Sequence, residues 1–180
     1  LEQLLIGSPF SERPSRDARQ PTFLVGFPRS GTTLLDTILR THSRVQVIEE
    51  QPMVSKMIAT LGDLPSVSEI ESIDKSLLSV ASKAYFEELK KHTDTLEESI
   101  LVDKLPLNLL HAPLLNRIFP NAKFILSLRH PLDCSLSCWI QNFKLNPAMA
   151  NMVDLNRTVD FYCVAMEIFK MSQRLSLIHI

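Results

Sequence analysis

The residues best suited to chemistry are Gly26, Arg29, Ser30, Gly31, Thr32 and Thr33. Gly26 and Gly31 frame a G-x-x-x-x-G spacing, and Thr32-Thr33 follows at once, which is a Walker A loop with its lysine missing. A loop of this kind aims backbone N–H groups and a helix N-terminus at an anion. Gly31 lets the backbone approach the ligand, and Thr32 and Thr33 offer hydroxyls as well as N–H groups. Arg29 supplies the cation that the usual lysine would. The missing lysine argues against an ordinary ATPase or GTPase, which sets that side chain on the β- and γ-phosphates. A plain strand-to-helix turn would need one glycine and would leave Arg-Ser-Gly-Thr-Thr unexplained.

Such a loop works only between a buried strand and a helix. Residues 22–25 form a short apolar run and read as a buried parallel strand; 32–40 read as a helix. That helix is expected to bury Leu34, Leu35, Ile38 and Leu39 and to pair Asp36 with Arg40 on its wet side. Further strands are expected at 45–48, 99–102 and 123–128. Helices are expected at 51–61, once or twice within 67–93, at 107–119, after Asp133 to about Phe143, and at 156–174. Pro113 should divide the 107–119 helix in two. This alternation predicts an α/β fold, a P-loop-type parallel β-sheet flanked by helices.

Open parallel sheets bind ligands at the carboxyl ends of their strands. Glu49-Glu50, Asp103-Lys104 and Arg129 stand at three such ends. Two adjacent carboxylates beside an anion site are costly unless one has a task; alternatively they suit the start of a solvated helix. Lys104 is either an electrophile or half of a surface ion pair with Asp103, worth little. Arg129 and Ser137 are eight apart, and a strand-turn-helix connection between them lets both reach one phosphate, with arginine giving a bidentate fork.

The 180 residues suffice for one α/β domain with a core. A hydrophobic share of 45%, a charged share of 22% and a net charge of −1 describe a chain that no global field draws to nucleic acid or membrane. The three cysteines suit reducing conditions, and Cys134 and Cys138 read as packed thiols. Trp139 and Phe143 are expected in the core and His111 on a helix surface. Acids outnumber lysines nine to four over 63–98, as on a solvated helical face or a cap over a substrate cleft. Residues 1–20 read as a linker or the remnant of an upstream helical region, 21–174 as the loop-bearing domain, and 175–180 as a non-native tail. The start at Leu1 and that tail lead to the expectation of a fragment, and the domain is expected to be incomplete at its C-terminus.

Pro28-Arg29-Ser30-Gly31-Thr32-Thr33 resembles the 5′-phosphosulfate loop of sulfotransferases that use 3′-phosphoadenosine 5′-phosphosulfate (PAPS). Its arginine form is similar to the tyrosylprotein sulfotransferases and to bacterial sulfotransferases with tetratricopeptide repeats, and the resemblance runs from about Pro21 to about Met152. It implies transfer of a sulfuryl group from PAPS to an acceptor hydroxyl, leaving adenosine 3′,5′-bisphosphate, without a metal. It implies nucleotide binding by Arg29, Ser30, Gly31, Thr32 and Thr33, and by Arg129 and Ser137, which resemble the family's 3′-phosphate motif. It also implies catalytic roles for Glu50, Lys104 and Arg29. Glu50, eight residues after His42, resembles the general base; Lys104 resembles the lysine that neutralises the bridging oxygen. The small-molecule enzymes carry a histidine base two residues beyond that lysine. Pro106 stands there, so Glu50 gains the role. The resemblance leaves the acceptor open among a protein tyrosine, a saccharide and a small molecule. The bacterial likeness implies the cytoplasm, the tyrosylprotein likeness a lumen. Two other readings are a nucleotide-kinase-like phosphotransferase, with Asp103 as the magnesium-binding acid, and a non-catalytic nucleotide-binding fragment.

Overall fold

The computed structural model describes residues 20–62, 64–93 and 99–175. Outside them lie the expected linker up to residue 19, the tail beyond 175, and residues 63 and 94–98 of the acidic stretch. Four parallel strands, β1 (Thr22–Gly26), β2 (Val45–Glu49), β3 (Ile100–Lys104) and β4 (Lys123–Ser127), form one sheet in the order β2-β3-β1-β4. β1 lies between β3 and β4, with Thr22 opposite both Val102 and Lys123. All five of its residues are buried, which explains the unbroken apolar run of a central parallel strand. The helices are α1 (Thr32–Arg40), α2 (Met53–Ala59), α3 (Lys75–Leu89), α4 (Ala112–Ile118), α5 (Pro131–Ile140) and α6 (Leu155–Leu175). This is the expected α/β architecture, a parallel sheet flanked by helices.

Side chains alternate across the strands, so the sheet has two unequal faces. On one, Phe23, Val25, Ile48 and Phe124 join Met53, Tyr85, Leu115, Cys138 and Phe169 in the main core. Phe23 is its aromatic centre, with ring centroids 5.3 Å from Phe124 and 6.1 Å from Tyr85 and Phe119. On the other, Leu24, Val47 and Val102 form a small cluster closed by Leu35 and Leu39 of α1.

That small cluster corrects the expectation for α1. Leu34 is 68% exposed and Ile38 55%, while Asp36 is buried and takes a 2.5 Å hydrogen bond from Arg40 Nε. The four apolar residues cover an arc wider than the patch beneath, and only the side carrying Leu35, Asp36 and Leu39 meets the sheet. Trp139 is also half exposed, because α5 turns Cys134, Ser135 and Cys138 inward instead; Phe143 packs against the main core as expected. His111 is not a surface residue: it is half-buried, and burial lowers its pKa. Pro113 sits in the first turn of α4, where a missing N–H costs nothing, after a 3₁₀ turn over Pro106–His111. Residues 67–93 hold a 3₁₀ turn, Ile70–Ser72, and then α3, whose N-cap Asp74 accepts a 2.7 Å bond from the Ser76 N–H. The two thiols of α5 are packed; Cys138 donates to the Pro28 carbonyl at 3.2 Å, and burial pushes its pKa up to about 12.

Candidate functional site

The loop after β1 is shaped by what lies under Gly26. A Cβ there would stand 2.5 Å from Ser30 Oγ and 2.8 Å from the Ser127 carbonyl oxygen, so a side chain would push the loop off the end of β4. The Ser30 N–H donates to the Phe27 carbonyl at 3.1 Å, and the Ser127 hydroxyl to the Ser30 carbonyl at 3.0 Å. Ser30 therefore spends its N–H on the loop's own shape, and its hydroxyl is buried under it. Gly31, at φ 100°, is the N-cap of α1 and supplies no side-chain cap. The first-turn N–H groups of Thr32, Thr33 and Leu34 precede the first intrahelical donor, Leu35, and are left for an anion.

Arg29 lies at the crown of the loop, exposed and in the left-handed region at φ 68°. Its Nε donates to Ser137 Oγ on α5 at 3.1 Å. Arg129, just beyond β4, donates from Nη1 to the Arg29 carbonyl at 3.3 Å and lies 3.7 Å from Asp133. Two arginines and a hydroxyl, drawn from segments about a hundred residues apart, thus converge beside an uncapped helix N-terminus.

A second cluster stands at the ends of β2 and β3. Lys104 lies opposite Leu24 of β1 and Glu49 of β2, and its side chain is 1% exposed. Its Nζ donates to Glu49 Oε1 at 2.7 Å and Glu50 Oε1 at 3.0 Å. Burial pulls the Lys104 pKa down, but the bonds to both carboxylates outweigh it and hold it above the usual lysine value. The hydrogen bond from Lys104 holds Glu49 below the ordinary carboxylate range. Glu50 is tied to the strand end by its own N–H, which donates to the Lys104 carbonyl at 2.8 Å, and its backbone is left-handed at φ 51°. Arg40 brings Nη2 to 3.7 Å from Glu49 Oε2.

Asp103 does not pair with Lys104. It points into the main core, fully buried, and accepts a 2.9 Å bond from the Tyr85 hydroxyl. Burial raises its pKa to about 7, against the opposing effect of Tyr85. The acid that a kinase-like reading would assign to magnesium therefore faces away from the loop. Strand alternation was the available signal, since neighbours on a strand point to opposite faces. The partners that the sequence reading did not single out are Glu49 as a second ligand of Lys104, Arg40 behind it, and Ser127 beneath the loop. Their meeting depends on strand register.

Among the described residues, no helix is long and apolar enough to cross a membrane, and no three or more histidine, cysteine or acidic side chains group as metal ligands. A family model described as the sulfotransferase family matches residues 21–176. The chain is 36% identical over 135 residues to an uncharacterised protein of Aquifex aeolicus, covering 70% of this chain and 18% of that one. It is 31% identical over 152 residues to protein-tyrosine sulfotransferase 1 of Homo sapiens, covering 77% and 40%. It is also 31% identical over 114 residues to protein-tyrosine sulfotransferase 2 of Gallus gallus, covering 59% and 30%. The chain spans less than half the length of each of these relatives.

Proposed function

Because the chain belongs to the sulfotransferase family, we propose that it moves a sulfuryl group from PAPS to an acceptor hydroxyl, leaving adenosine 3′,5′-bisphosphate. The observation that carries this reading is the buried Lys104 ammonium, 3.0 Å from Glu50, at the end of the strand beside the phosphate-type loop. A fixed cation beside a half-exposed carboxylate at that strand end supports the reading.

The donor fits the residues present. The uncapped first turn of α1 and Arg29 suit the 5′-phosphosulfate; Arg129 and Ser137 suit a 3′-phosphate. Glu50 takes the proton of the acceptor hydroxyl. A new S–O bond forms to that oxygen as the bond from sulfur to the bridging oxygen breaks, and the bisphosphate leaves with the electron pair. Lys104 neutralises the charge on the leaving oxygen, while Arg29 and the N–H groups of Gly31, Thr32 and Thr33 stabilise the transferring group. No step calls for a metal. Protein tyrosine is the first acceptor class to test, because two relatives are named for it; saccharides and small alcohols come next.

The test is a calorimetric titration with adenosine 3′,5′-bisphosphate and with AMP, both without metal. Arg129→Ala should weaken the bisphosphate by about ten- to a hundred-fold, the worth of a charge-assisted contact, and leave AMP nearly unchanged. Equal losses for both nucleotides sink the 3′-phosphate assignment.

A further inference from the structure

Lys104 has two carboxylate partners, and the reaction above uses only one. The partner without a role is the nearer: Glu49 at 2.7 Å, against 3.0 Å for Glu50. Glu49 is also held from behind, since Arg40 approaches its other oxygen and is itself anchored on the buried Asp36. Asp36, Arg40, Glu49, Lys104 and Glu50 thus alternate in sign from the sheet-facing side of α1 to the candidate base. Among the described residues, the charged side chains on the Glu49 carboxylate are Lys104 from β3 and Arg40 from α1; on the Glu50 carboxylate it is Lys104.

An ammonium bound to a single carboxylate favours the ionised form of that carboxylate and makes it harder to protonate. A carboxylate in such a pair is a poor general base. Dividing the ammonium between two carboxylates relaxes that effect, and the negative charge of the second carboxylate acts in the same direction.

We infer that Glu49 is a positioning residue that shares the Lys104 ammonium, leaving Glu50 basic enough to take the acceptor proton while Lys104 stays directed at the leaving oxygen. The inference rests on Glu50 as the base. Glu49 remains ionised at neutral pH, because the Lys104 bond holds it below the usual carboxylate range.

The test is the pH dependence of kcat/KM for Glu49→Gln, with Glu50→Gln as its control. In Glu49→Gln the whole ammonium bears on Glu50. The acid limb of the profile should move to lower pH by about half a unit or more, and the plateau should fall several-fold. Affinity for adenosine 3′,5′-bisphosphate should stay unchanged, and Glu49→Asp should bring the limb part of the way back. A lower plateau with an unmoved limb, a shift to higher pH, or a loss of bisphosphate affinity each overturns the inference while Glu50→Gln is inactive. An active Glu50→Gln overturns the base assignment itself, and the inference with it.

Discussion

Asp103 and Lys104 are neighbours on β3, opposite in charge and both buried, yet they live in different media. Lys104 ends among Glu49 and Glu50, whose side chains are 45% and 56% exposed, so its partners reach water. Asp103 ends in the main core, where Tyr85 holds one carboxylate oxygen and the other has no hydrogen-bond partner among the described residues. One charge is compensated at a wet rim; the other is kept in an apolar interior at the expense of its acidity. Burial alone therefore does not mark a reactive group. What sets Lys104 apart from Asp103 is that its partners are open to solvent.

The strongest way to break that contrast is Lys104→Met, which keeps the stem and removes the ammonium. Turnover should fall by about 10²–10³, as when one preorganised stabilising group is lost. Thermal stability should change little, since the two carboxylates left behind are half in water. A large drop in melting temperature would put Lys104 in the same class as Asp103.

Next is Tyr85→Phe, which strands the buried Asp103. It should destabilise the fold in urea by about 1–3 kcal/mol, the cost of an unsatisfied buried polar group, with less than a tenfold effect on turnover. Lost turnover at intact stability would make the core side functional as well.

A third test sharpens the contrast through pH. With a folded pKa raised from 3.8 to about 7, Asp103 binds its proton more tightly in the folded chain than in the unfolded one. Its contribution is full below the unfolded value and is lost as pH rises towards about 7. His111, shifted down by burial, acts in the opposite sense, losing its contribution on acidification. Comparison with Asp103→Asn cancels the histidine. Between pH 5 and 7 the unmodified protein should lose stability relative to the variant by at most about 1.4 kcal/mol per pH unit. Parallel stability curves for the two proteins contradict a strained Asp103.

The sequence announces what is local. The glycine spacing from Gly26 to Gly31, the apolar runs and the turn residues place the loop and all four strands to within about two residues, because each depends on its own few side chains. Strand-end logic also brings Lys104, Glu50 and Arg129 to the edge where the loop lies. Legibility stops where register decides. Lys104 finds Glu49 because β2 and β3 pair with those two residues opposite each other, and nothing within either segment announces that match. The face that α1 buries is equally silent: Leu34 and Leu35 are equivalent in composition, and the width of the small cluster beneath chooses between them.

Among the described residues other than glycine, only Arg29 and Glu50 have a positive φ, at 68° and 51°. For a residue with a Cβ, that conformation costs about 1–2 kcal/mol, and glycine relieves it. A library of variants selected for heat resistance alone would therefore drift towards glycine at these two positions and discard the side chains that the proposed reaction depends on. A library selected for turnover would hold both against the same drift, so the residues that accumulate there reveal which property is under selection.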